Sequence, residues 1–166
     1  DHHTAYLLLE ALAAGLFGDG SDCLGFDDEY SRDHDWGPGF CLWLTNPDHQ
    51  AIGPPLAEAY ANLPACFEGH ERAASEWGGG RVGVFEIGAF LRSFLGRPTV
   101  PATELEWLRI PEKNLAACTA GRVFRDPLGE FSEAQRRLRD FYPDDVRRAK
   151  IAARCMSAGQ SGQYNF

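Results

Sequence analysis

No apolar run in the sequence approaches the ~20 residues that a membrane-spanning helix needs. The longest apolar cluster, Tyr6-Leu7-Leu8-Leu9 with Ala11 to Ala14, is interrupted by Glu10 and has no basic flank. Neither a span nor a secretory leader is expected from it. Paired cysteines are missing too: Cys23, Cys41, Cys66, Cys118 and Cys155 are odd in number, and none stands in a C-x-x-C pair. That excludes a disulfide framework and zinc-ligand spacing. Reduced thiols packed as small apolar residues, in a cytoplasmic protein, are the simplest reading. Positive charge is scarce as well. Sixteen Lys plus Arg against 24 Asp plus Glu leave a net charge of −8, the wrong sign for wrapping nucleic acid through its phosphates. There is no internal repeat.

The 166 residues suit one domain, and 44% hydrophobic with 12% aromatic content is enough to bury a core. The acidity is local. Residues 19–35 hold seven acids and one base, Arg32, a charge of −6, whereas residues 121–155 carry nine basic residues against six acids.

Along the chain, Thr4 to about Phe17 reads as a helix closed by Gly15 and Gly18. A glycine-rich acidic stretch follows from Gly18 to Ser31. Phe40 to Leu44 is an apolar run of strand length, and Gly37-Pro38-Gly39 before it suggests a bend or an edge strand. Asn46-Pro47 opens a helix running to about Asn62, with Pro54-Pro55 marking a kink or a break into two helices. Cys66 to Arg72 reads as a strand, and Arg81 to Ile87 alternates as a strand does. A helix from about Gly88 ends at Gly96, and Thr103-x-x-Glu106 is a capping box for the next. Pro111 restarts a helix, Gly121 to Asp126 is extended, and Ser132 and Asp144 open the last two helices. Val146, Ala149, Ala153 and Met156 form one face of the final helix. This order predicts an α+β fold, a small mixed sheet with flanking helices in residues 1–100 and a helical region in residues 101–166.

Asp33-His34-Asp35 is the most informative triplet, although 12 Asp in 166 residues give roughly one Asp-x-Asp by composition alone. Context supplies the meaning. Gly20-Ser21, Gly25 and Ser31 precede it, and the apolar run Phe40 to Leu44 follows. On a strand lead-in, period two puts Asp33 and Asp35 on one face, a site for a hard divalent cation. Gly20 lets the backbone approach a ligand, and the Ser21 hydroxyl with nearby N–H groups can hold phosphate oxygens.

This arrangement resembles the DNA polymerase β-like nucleotidyltransferase superfamily, whose usual pattern is G-S-x-x-x-G-x(5)-S-D-x-D. The chain follows it through Gly20, Ser21, Gly25 and Ser31, then inserts Arg32 before Asp33 and Asp35. The string from Leu24 to Pro38 is similar to an uncharacterised bacterial domain-of-unknown-function family placed with those enzymes. Pro111 to Glu130 and Tyr142 to Val146 look like the same family, whose members continue past the position of Phe166 with a further helical region. A continuation is therefore expected here. The resemblance implies two Mg²⁺ (or Mn²⁺) ions held by Asp33 and Asp35, ATP or another NTP as substrate, and transfer of its NMP to an acceptor hydroxyl. A third carboxylate normally completes such a site. Glu86, on the strand Arg81 to Ile87, is the first choice, with Glu68 and Glu71 competing.

Plainer readings stand beside these. Asp33 and Asp35 also fit a solvated acidic turn, Gly20-Ser21 an ordinary loop, and Asp27-Asp28-Glu29 surface acids. His34 falls on the opposite strand face and suits packing or hydrogen bonding. Arg136, Arg137, Arg139, Arg147, Arg148 and Arg154 read as a solvated helix surface, with a triphosphate contact as the alternative. Lys113 is a further nucleotide-binding candidate. An EF-hand is excluded because Leu44 stands where the bidentate Glu must be. Loss of turnover with retention of nucleotide or partner binding, and metal-dependent phosphate hydrolysis, are the competing functions.

Overall fold

The computed structural model describes residues 10–26, 37–71, 80–140 and 143–163. Strand β1 (Ala13–Phe17) leads into a short helix α1 (Ser21–Leu24), and β2 (Cys41–Leu44) leads into α2 (Asn46–Ala61). A hairpin, β3 (Cys66–Phe67) and β4 (His70–Glu71), precedes β5 (Gly83–Glu86) and α3 (Ile87–Leu95). Then come α4 (Glu104–Leu108), α5 (Glu112–Thr119), β6 (Gly121–Arg125), α6 (Glu130–Asp140) and α7 (Asp144–Gln163). The sheet order is β5-β2-β1-β6, with β2 and β5 parallel and β1 antiparallel to both of its neighbours. The fold is α+β with a small mixed sheet. No helix among the described residues is long and apolar enough to cross a membrane.

The clearest correction falls on the first segment. Ala13 to Phe17 is a strand, not the end of a helix. Alanine and leucine favour helix locally, but pairing on both sides outweighs that preference. Ala13, Gly15 and Phe17 are buried and alternate with less buried residues, the period of a strand. Gly15 sits at a bulge in the β1–β6 register, where a Cβ would run into the Arg122 carbonyl. β2 is an interior strand rather than an edge. All four of its residues are buried, the continuous apolar pattern of a strand covered on both faces.

Other elements follow the sequence more closely. α2 is one helix through Pro54 and Pro55, capped by Thr45, whose hydroxyl accepts from the Asp48 N–H. The segment expected as one strand from Cys66 is a hairpin, because Glu68 and Gly69 both take positive φ, 49° and 82°. Two such residues make the tight turn that suits a right-twisted strand pair. The Thr103–Glu106 capping box is present in both directions, and Gly96 ends α3 in the left-handed conformation. On α7 the buried positions are Val146 and Lys150, whereas Ala149, Ala153 and Met156 are exposed. Lys150 displaces the expected apolar face because its ammonium donates to the Ile110 carbonyl and lies 3.3 Å from Glu112.

Two cores hold these layers. An aromatic one joins Phe17, Trp43, Phe90 and Phe131, with the Trp43 and Phe131 rings stacked at 3.9 Å. A mainly aliphatic one joins Leu91, Leu95, Trp107, Ile110, Leu138 and Val146. The region expected to be helical after residue 100 thus also contributes β6 to the sheet and Phe131 to the aromatic core.

Candidate functional site

The strand registers decide which residues share an end of the sheet. β1 runs antiparallel to β2 with Gly15 opposite Cys41, so the chain leaves β1 where β2 begins. β5 runs parallel to β2 with Gly83 opposite Cys41 and Glu86 opposite Leu44. The Gly20–Ser21 turn, the lead into β2 and Arg81 therefore gather at one end. Glu86 lies at the other.

At the first end, Gly20 is the N-cap position of α1 and Ser21 its first residue. Arg81 reaches across from the start of β5. Its guanidinium pairs with the Asp22 carboxylate and touches the Cys23 sulfur at 3.7 Å. The same Asp22 oxygen accepts from the Cys23 N–H at 2.8 Å. A Cβ on Gly20 would overlap both the Arg81 guanidinium and the Asp22 carboxylate. Glycine is needed here because a guanidinium packs over the backbone, a reason that local sequence does not reveal.

Burial opposes the charge on Arg81, but the hydrogen bond and charge of Asp22 more than offset it and raise its pKa. Burial, with Asp22 adding to it, pushes the Cys23 thiol up to about 11, and burial likewise lifts Cys41 to about 11. Both thiols are therefore neutral at physiological pH and poor nucleophiles. This end of the sheet brings the Ser21 residue beside a guanidinium already paired with a carboxylate, while the Cys23 and Leu24 N–H groups donate to the Gly20 carbonyl.

The remaining sequence candidates divide. Asp33, His34 and Asp35 lie outside the described residues, as do Ser31 and Arg32. Glu86 is the N-cap of α3, and its two carboxylate oxygens accept from the N–H groups of Gly88 at 2.8 Å and Ala89 at 2.6 Å. Glu68 and Glu71 are exposed on the β3–β4 hairpin, and Phe67 of that hairpin lines a pocket with Pro38 and Phe40, beside the lead into β2. Lys113 is exposed on α5, a helix of the aliphatic core. The structure brings Gly20 and Ser21 together with Arg81, and it brings neither Glu86 nor Lys113 to them. Among the described residues, no group of three or more His, Cys, Asp or Glu side chains could hold a metal ion.

The arginine set is largely occupied on the surface. Arg136 pairs with Glu133 and Asp140, Arg147 with Asp144, Arg148 with Asp145, and Arg154 with Glu112. Arg139 donates to the Thr119 and Gly121 carbonyls. These pairs match the solvated-surface reading. Arg81 is the cation that sequence reasoning missed. It stands 59 residues from Asp22, and no spacing rule connects them.

A family model described as "Domain of unknown function (DUF4037)" matches residues 107–166, from Trp107 of α4 through β6 and α7. The match supports the likeness to an uncharacterised family over that stretch. It does not reach the Gly20–Ser21 turn. No curated protein and no solved structure matches the chain.

Proposed function

We propose that the protein is a metal-dependent nucleotidyltransferase that moves an NMP, most simply AMP from ATP, onto a hydroxyl of a small molecule or protein. The observation carrying this reading is the Gly20–Ser21 turn beneath the Arg81 guanidinium, at the sheet end where the chain runs into β2. A triphosphate needs hydroxyl donors and a cation, and what supports the reading is that the Ser21 residue and the Arg81 guanidinium, held by Asp22, stand together at this end. The metal ligands in this reading are Asp33 and Asp35, the carboxylates nearest in sequence to that lead-in. Bound Mg²⁺ would supply neutralisation of the triphosphate and stabilisation of the attacking and leaving oxygens. The acceptor oxygen forms a bond to the α-phosphorus as the bond to the bridging oxygen breaks. Pyrophosphate leaves, and the hydroxyl proton passes to a carboxylate.

An acidic segment carrying −6 would repel a triphosphate unless divalent cations lay between them. The local acidity of residues 19–35 then becomes a metal requirement. A second reading, a nucleotide-binding module without turnover, is favoured by one observation: the Glu86 carboxylate is already committed to capping α3. Thermal-shift measurements with ATP, Mg²⁺ and both test binding. The expected result is joint stabilisation exceeding either alone, and its absence would sink both readings. Release of pyrophosphate from labelled ATP identifies transfer, orthophosphate identifies hydrolysis, and binding with neither product identifies the inert module. Asp33→Asn should lower turnover by on the order of 10²-fold, the size of losing one preorganised electrostatic group, with the melting temperature unchanged.

A further inference from the structure

Beside the lead into β2 lies a cavity of about 440 Å³, within the ~300–1,000 Å³ range of small-molecule sites. Pro38, Gly39 and Phe40 form a wall of it, and Leu63, Pro64, Cys66 and Phe67 complete the lining. None of these side chains is charged. Two phenyl rings and two proline rings give it flat apolar faces, which suit a planar ring better than a flexible chain. The wall is also held in place before any ligand arrives. The buried Tyr60 hydroxyl donates to the Phe40 carbonyl at 2.8 Å and accepts from its N–H at 3.2 Å. The Tyr60 and Phe40 rings meet edge to face at 5.1 Å. A preformed wall spares the ligand the cost of ordering it.

The pocket adjoins the site already described. Gly39 packs against the Val82 side chain, and the next residue back, Arg81, covers Gly20. One dipeptide of the chain therefore touches both the Gly20–Ser21 turn and the wall of the apolar cavity.

We propose that this cavity binds a flat, uncharged aromatic ring, either the nucleobase of the NTP or an aromatic group of the acceptor. The inference rests on the nucleotidyl-transfer reading for the source of the ring. It stands on cavity shape and chemistry for the ring itself.

Cys66 gives a direct readout. Cys66 and Cys155 are exposed whereas Cys23, Cys41 and Cys118 are buried, so Cys155→Ser leaves Cys66 as the only exposed thiol among them. In that variant of the full chain, the rate of N-ethylmaleimide addition at Cys66 is followed by mass with adenosine or with indole. Neither probe carries a phosphate or needs Mg²⁺. The expected result is severalfold slower modification by at least one of them. Protection by adenosine assigns the ring to the nucleobase, and protection by indole alone assigns it to the acceptor. Leu63→Asp, at a rim position 41% exposed, should weaken protection by on the order of tenfold by setting a charge against the ring, with unchanged melting. No protection by either probe, or equal protection in Leu63→Asp, overturns the pocket. If ATP with Mg²⁺ still stabilises the protein in that case, the nucleotidyltransferase reading survives alone. If a probe protects but no pyrophosphate is released, the pocket survives alone.

Discussion

The two ends of the β2–β5 pair use the same residue types for opposite purposes. At one end Asp22 holds Arg81 over Gly20, leaving the Ser21 turn, a permanent cation and an apolar cavity close together. At the other, Glu86 spends both oxygens on the amides of Gly88 and Ala89 and fixes the start of α3. An acidic residue at a strand end is therefore a poor guide to chemistry until its hydrogen bonds are known. The first carboxylate holds a cation in place, and the second satisfies a helix. Reading Glu86 as the third metal carboxylate requires it to leave that cap.

Both ends rest on the same aromatic core. Trp43 is fully buried between Phe17, Phe90 and Phe131. Trp43→Ala should cost about 3–5 kcal/mol in denaturant unfolding and abolish function at both ends together. Arg81→Met should cost about 1–3 kcal/mol, because the partly buried Asp22 is left without its cation. It should also raise the ATP concentration needed for thermal stabilisation. Asp22→Asn in the Arg81→Met background should restore part of the stability and none of the ATP response.

Glu86→Ala addresses the opposite end. Loss of the cap should cost about 1 kcal/mol in the same unfolding measurement, and ATP stabilisation should be unchanged. A turnover loss of on the order of 10²-fold with only that stability change would instead return Glu86 to the metal site. The smallest effect is in acid. The Arg97 hydrogen bond holds Glu106 down to about 2, and its own backbone N–H with Arg154 holds Glu112 down to about 2. For carboxylates whose folded pKa is depressed, the unfolded chain binds more protons, so their contribution is full above about 4.5 and lost as pH falls towards 2. Glu106→Gln and Glu112→Gln should each lower stability slightly at neutral pH, where that contribution is full, and flatten the acid limb, so that variant and parent converge as pH falls towards 2.

Signals confined to a few neighbouring residues could be read from the sequence, and those that depend on distant partners could not. The Thr103–Glu106 box, the Gly96 stop and the extended Gly121 to Arg125 piece are set within a turn or two of chain. β1 is not, since its conformation depends on pairing with Cys41 to Trp43 and with Gly121 to Arg125. Lys150 shows the same limit: an ammonium reads as surface until the Ile110 carbonyl it caps is known. In the candidate site, Gly20 and Ser21 were marked by their spacing to Asp33. Arg81 carried no such mark, and the room that Gly20 leaves turns out to hold a guanidinium.

The pairing of β6 with β1 joins Ala14 to Arg125, across more than a hundred residues of intervening chain. During synthesis, β1 can pair with β2 early but waits for its second partner until β6 has emerged. A fragment stopped at residue 100 would present β1 as a bare edge, with Trp43 stripped of its stacked Phe131. Such an edge is a template for intermolecular pairing, so this fragment should aggregate where the longer chain stays monodisperse. The end of β1 that leads to the Gly20–Ser21 turn would be closed late, only after Gly121 had paired with Phe17.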